Sequence, residues 1–197
     1  MLYHMPLWQY SVCFILNCVI VLFLLRIYLQ ACGADFYNSI SQSIHKLTRH
    51  AVDFLGNKTW HNINISAGAV VIIALAVKYA LIYLVFLDIP QEELLNPLYF
   101  LKPFLLLIKL SGIIFFTVLL ADALLSWFPG NRFSALTSSL VNPVLNDVRR
   151  FVPRLGMLDL SSLIVFILLY LADYLILKTL ITLFNSFGIF LWYSVLL

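Results

Sequence analysis

Arg26, Lys78, Asp122 and Asp173 stand inside long apolar runs. Charges at membrane depth are unfavourable and mark either a partner or a job. The four are related by an internal repeat. Ser66 and Tyr79 recur about 95 residues later as Ser161 and Tyr174, and Asn38 and Ser41 recur as Asn131 and Ser134. At matched points the bases of the first copy become acids in the second: Arg26 corresponds to Asp122, and Lys78 to Asp173. If pseudo-symmetry brings matched helices together, each opposite pair neutralises itself. The same residues also suit a polar seam for protons or ions, or the intramembrane charge of a partner. Arg26, close to the end of its run, also has the reach to snorkel alone.

A second constellation lies between the last two long apolar runs. Arg149, Arg150 and Arg154 cluster where a surface segment meets headgroups. Each base near an anionic membrane contributes about 1 kcal/mol, and arginine binds phosphate through paired hydrogen bonds. The three residues therefore read as topology and lipid anchors, or as a docking point for a protein partner. Asp159 and Ser161 immediately precede an apolar run. Such side chains accept from free helix N–H groups, and Asp suits the positive helix end. Asp159 also has the option of pairing with Arg149 or Arg150.

Other reactive residue types form no recognisable catalytic set. His45 and His50 are five apart, which is poor spacing for a metal pair on one helix. Cys13, Cys18 and Cys32 lack zinc-type spacing and read as structural thiols. No nucleophile–base arrangement, phosphate loop or hydrolase motif is present. The expectation is a non-enzymatic protein with no metal and no cofactor. A net charge of +3, dispersed along the chain, gives no reason to expect nucleic acid as a partner.

The elements that position these residues are membrane elements. The chain is 63% hydrophobic and only 11% charged, against about 45–50% and about 25% in soluble domains. A spanning helix needs about 20 mostly apolar residues. Four segments qualify, near 7–29, 65–87, 99–128 and 160–184. Pro103 fits a first helical turn, so the third run is expected to begin in the interface or to tilt. The apolar tail from residue 187 is too short to span and is expected at the interface. The opening Met-Leu-Tyr-His lacks the basic residues of a secretory signal peptide.

The two long connections share a pattern. Ile40, Ile44, Leu47, Ala51 and Phe54 follow helical spacing in the first. Phe133, Leu136, Leu140, Val144, Val148 and Phe151 do so in the second, where Pro143 is a point to kink or divide the helix. Such stripes predict helices flat on the membrane or packed on protein. Both connections are rich in Lys and Arg, whereas the middle link carries Asp88, Glu92 and Glu93. Positive-inside reasoning places both connections in the cytoplasm and both termini in the periplasm. The expected fold is all-α: two tandem helical hairpins, about four membrane helices, with an interfacial amphipathic helix in each long connection. The copies divide the chain as 1–90 and 91–197. Their common orientation makes this a parallel repeat.

Leu124–Phe128 reads LLSWF, and Asn142–Ser162 reads NPVLNDVRRFVPRLGMLDLSS. In this order Trp127, Pro143, Arg149, Arg150, Pro153, Gly156, Asp159 and Ser161 resemble the pattern of the YGGT family of integral membrane proteins. The first copy shares the architecture, but Gly56, Asn57, Lys58, Thr59 and Trp60 replace the basic motif, and Asn64 stands near the expected Asp. The second copy is therefore the better preserved. The resemblance implies a small multi-pass protein of the bacterial inner membrane. Relatives are linked to osmotic stress tolerance, to division and nucleoid organisation, and in plastids to haem attachment. It implies a role in organising or assembling membrane machinery, with the lipid bilayer, anionic phospholipids and a membrane protein as partners. A transport component using the intramembrane charges is the alternative.

Overall fold

Lipid offers no hydrogen bonds, so a chain this apolar must satisfy its backbone internally, and helices do so within one segment. The computed structural model describes residues 7–33, 38–60, 63–86, 97–126, 132–151 and 160–186. Its helices are α1 (Leu7–Ala31), α2 (Ser39–Phe54), α3 (Ile65–Ala80), α4 (Pro97–Leu125), α5 (Arg132–Arg149) and α6 (Leu160–Ser186). Three apolar helical stretches are long enough to cross a membrane: Leu7–Ala31, Ile65–Val85 and Leu101–Leu125. The protein is thus a predominantly α-helical chain of membrane type.

Several local features differ from the sequence expectation. Helix α3 ends in a π-helical turn, Leu81–Phe86. Pro103 lies inside α4, because the helix already starts at Pro97, and first-turn proline costs no hydrogen bond. Pro143 lies inside α5 without dividing it. A two-residue antiparallel hairpin, β1 (Thr59–Trp60) with β2 (Ile63–Asn64), precedes α3. The tail from residue 187 lies outside the described residues.

Two compact units make up the chain. The first contains α1 up to Ile27, then Ile44–Ile108. The second contains Tyr28–Ser43 and the chain from Lys109 through α6. The second unit has a core of Leu119, Val141, Leu145 and Val165, with Phe115, Val118 and Phe166 against it. There α5 packs on α4 and α6. Tyr28, near the end of α1, donates to the Leu140 carbonyl of α5 at 2.8 Å. The end of α1 is thereby tied to α5.

Helix α2 has three faces rather than two. Its buried positions are Ser41, Ile44, Thr48 and Val52. At 3.6 residues per turn these lie about a quarter-turn from the predicted stripe. Leu47 and Phe54, on that stripe, are 68% and 89% exposed. Lys46, Arg49 and Asp53 occupy the remaining face, with Arg49 bonded to Asp53 at 3.1 Å. One side thus meets protein, one presents apolar side chains, and one is charged.

Candidate functional site

Charges near the ends of two long apolar helices grip the amphipathic helices. In the first unit Arg26 of α1 is only 4% exposed. Its Nη1 donates to Thr48 Oγ1 of α2 at 2.6 Å. Thr48 is fully buried and passes its own proton to the Ile44 carbonyl at 2.6 Å. In the second unit Asp122 of α4 plays the complementary part. Its Oδ1 accepts from Thr137 Oγ1 at 2.9 Å and from Ser138 Oγ at 2.7 Å, both on α5. Hydrogen bonds to charged groups contribute about 1.5–3 kcal/mol each. Inverting the charge therefore preserves the grip, because a hydroxyl can accept from a base or donate to an acid.

His45 sits beside the first of these grips. Burial, reinforced by the positive charge of Arg26, pushes its pKa below the ordinary histidine range. The protonated imidazole is thus disfavoured there, on a helix outside the three candidate membrane spans.

Lys78 has a different environment. It is fully buried on α3. Its Nζ donates to Asn17 Oδ1 of α1 at 2.8 Å and lies 5.8 Å from the Tyr79 ring centroid. Tyr79 is 5.6 Å from Tyr83, and the Lys102 ammonium lies 5.6 Å from the Tyr83 ring. Two buried lysines thus bracket two tyrosines inside the first unit. The Tyr79 hydroxyl is buried with no hydrogen-bond partner among the described residues. Asn17, Cys13 and Gln9 are spaced four apart on α1, which sets them along one helix face. Asp173, the counterpart of Lys78 by sequence, belongs to the second unit and lies on an exposed stretch of α6. The exchanged charges therefore have unlike surroundings.

The start of α3 shows what the Asp-x-Ser element does in its Asn64-x-Ser66 form. Asn64 Oδ1 accepts from the Ala67 N–H at 2.9 Å, capping the helix, while its Nδ2 donates to Asn57 Oδ1 at 2.6 Å. Ser66 accepts from the Lys58 N–H at 2.9 Å. Gly56 allows this turn: with φ of +84° it closes α2 through bonds from Gly56 N–H to the Asp53 carbonyl and from Asn57 N–H to the Val52 carbonyl. In the second copy Ser161 is likewise fully buried. Asp159 and Arg154 lie outside the described residues, as do Trp127, Pro153 and Gly156.

Arg149 and Arg150 end α5. Arg149 Nη1 donates to Asn142 and Asn146 at 3.0 and 3.2 Å, and so lies back along its own helix. Arg150 is 3.6 Å from Asp147, with both side chains more than 70% exposed. Such an exposed pair contributes little to stability. Arg150 is displayed rather than consumed by the fold. Sequence reasoning missed Thr48, Thr137, Ser138 and Asn17. For the three hydroxyls the available signal was a place on or beside the apolar stripe of an amphipathic helix.

Among the described residues, no group of three or more His, Cys, Asp or Glu side chains gathers to hold a metal.

The family described as CCB3/YggT matches this chain over residues 101–195. The chain is 30% identical over 166 residues to the Escherichia coli (strain K12) protein called "Uncharacterized protein YggT", covering 81% of this chain and 86% of the relative. It is 35% identical over 163 residues to the Vibrio alginolyticus "Uncharacterized protein in proC 3'region", covering 79% and 85%. A Haemophilus influenzae relative is 31% identical over 167 residues, covering 82% and 87%. No solved structure matches.

Proposed function

Since the chain belongs to the YggT family, we propose that it is a non-enzymatic protein of the bacterial inner membrane that organises membrane machinery or assists its assembly. A link to osmotic stress or cell division fits the same reading. The carrying observation is the pair of grips, Arg26 on Thr48 and Asp122 on Thr137 and Ser138. Each holds an amphipathic helix against a membrane helix while leaving its other faces free. Leu47 and Phe54 suit the acyl boundary, and Lys46 and Arg49 suit anionic headgroups. Arg149 and Arg150 extend that surface in the second copy. In this reading α6 is a fourth crossing, since its 27 residues exceed the length needed for about 30 Å of hydrocarbon. The molecule is then two tandem hairpins with cytoplasmic surface helices and periplasmic termini.

Proximity labelling in the native membrane tests the assembly role, with Arg149→Gln/Arg150→Gln as the comparison. A defined set of membrane-protein neighbours that the double variant loses supports it. An unchanged neighbour set, with full complementation, refutes the assigned surface. Single-cysteine labelling tests topology in a background without Cys13, Cys18 and Cys32. Labelling from the periplasm at Asn146→Cys, with protection at Glu92→Cys, overturns the orientation.

A second reading, transport, draws on Lys78, Asn17 and the buried Tyr79 hydroxyl. Coupled ion flux in purified vesicles that Lys78→Met abolishes favours it. A stable partner complex without flux favours assembly.

A further inference from the structure

Helix α6 changes character along its length. Ser161 and Val165 are buried, but from Tyr170 to Ile176 every side chain is exposed. Ile167, Tyr170 and Tyr174 are 51%, 71% and 50% exposed. Asp173 stands among them and is exposed as well. If α6 crosses the membrane, as proposed above, this carboxylate faces lipid, where a charge requires a counter-charge.

Its own helix does not supply one. Lys178 is five residues on, about 140° around the helix from Asp173, and helical neighbours pair at three or four. Among the described residues no ion pair or hydrogen bond engages the Asp173 carboxylate. The Lys178 side chain runs back towards the start of the helix: its Nζ donates to Tyr174 Oη at 3.4 Å and sits 5.5 Å from the ring centroid. The ammonium is therefore drawn towards the preceding turn, the one that carries Tyr174.

That spacing has a meaning between helices. In parallel two-stranded packing the flanking charges that meet are five residues apart, one on each chain. Ile167, Tyr170 and Tyr174 follow the alternating three-and-four spacing of a seam, and Asp173 and Lys178 take the two flanking positions beside it. Two copies inserted in the same orientation meet in parallel. Twofold symmetry then forms the Asp173–Lys178 pair twice. We propose that the exposed face of α6 is a homodimer contact, in which Asp173 of each copy pairs with Lys178 of the other across a seam of Ile167, Tyr170 and Tyr174. The occupant is a second copy of this chain, because it brings the needed cation at the needed height.

The test uses the full chain in native membranes, with Cys13, Cys18 and Cys32 replaced. Tyr170→Cys and Tyr174→Cys should form disulfide-linked dimers on oxidation, and Ala172→Cys, off the seam, should form few. Asp173→Lys or Lys178→Asp alone should weaken dimerisation roughly tenfold, from two lost interhelical polar contacts. The combined exchange should restore it. Equal cross-linking at Ala172→Cys, or a double exchange as weak as the singles, overturns the dimer. Maleimide labelling of Ser162→Cys and Ser186→Cys separates the premise from the inference. Labels on the same side defeat the crossing itself. Labels on opposite sides without seam cross-links defeat the dimer alone, and a cation-bearing foreign helix becomes the partner to seek.

Discussion

Removing the Asp122 carboxylate should loosen α5 from α4 by an amount that can be worked out. Its Oδ1 accepts two hydroxyl protons, from Thr137 at 2.9 Å and Ser138 at 2.7 Å. Two hydrogen bonds to a charged group sum to about 3–6 kcal/mol before any compensation. The gross figure must be reduced, because Thr137 already has a second acceptor in the Ser134 carbonyl at 3.1 Å. Ser138 is only partly buried, so water or headgroups can replace its lost partner. The net cost of Asp122→Ala is then about 2–3 kcal/mol. Asp122→Asn retains an acceptor oxygen but not its charge, and neutral bonds are roughly half as strong, so it should cost about 1–1.5 kcal/mol. Reversible unfolding in lipid bicelles measures both. Hydrogen exchange along α5 shows where the loss falls, and protection should drop there before it drops in α1 or α3. If Asp122→Asn is as damaging as Asp122→Ala, or if alanine costs less than about 0.5 kcal/mol, the carboxylate does not hold the surface helix.

Four further outcomes follow from the same structure. Asn64→Ala should cost about 1 kcal/mol or more by losing the α3 cap, and Asn64→Asp should also destabilise, because it keeps the accepting oxygen but loses the donor to Asn57 Oδ1; thermal unfolding in detergent measures both. His45 has a folded pKa below its unfolded value of about 6.5, so the unfolded chain binds the proton more readily. Stability should therefore be full above that value, fall as the pH drops below it, and fall less in His45→Gln, as read from denaturation midpoints at pH 7.5 and 5. A double-mutant cycle of Lys78→Met with Asn17→Leu should reveal a coupling of about 1 kcal/mol, and strictly additive losses would mean that their 2.8 Å bond carries no energy. Arg150→Gln should leave folding within about 0.5 kcal/mol, since its ion pair with Asp147 is an exposed one, while Arg149→Gln/Arg150→Gln should reduce binding of anionic lipid by the purified protein.

Much of the architecture was legible in the residues because lipid imposes a simple constraint. Uninterrupted apolar runs must become helices, which is why the stretches around α1, α3 and α4 follow directly from composition. The two surface helices were legible for a similar reason. Their polar and apolar residues alternate at helical period, and α2 and α5 begin and end within a residue or two of the predicted stripes. The Asn64 cap was not legible, because in the sequence Asn64 reads as a departure from the expected Asp. The matched charges were legible as residues that need partners, but their partners were not. Sequence spacing constrains neighbours along one helix, whereas Arg26 meets Thr48 and Lys78 meets Asn17 across 22 and 61 residues of chain. Which hydroxyl or amide lies opposite depends on how each helix is rotated about its axis. For α2 that rotation is about a quarter-turn away from the apolar stripe. Tertiary packing decided it, because Ile44, Thr48 and Val52 fill the protein side and leave Leu47 and Phe54 outward. Amino-acid types thus determined that this chain lives in a membrane and where charge must be compensated. Only the packed helices decided which side chains compensate it.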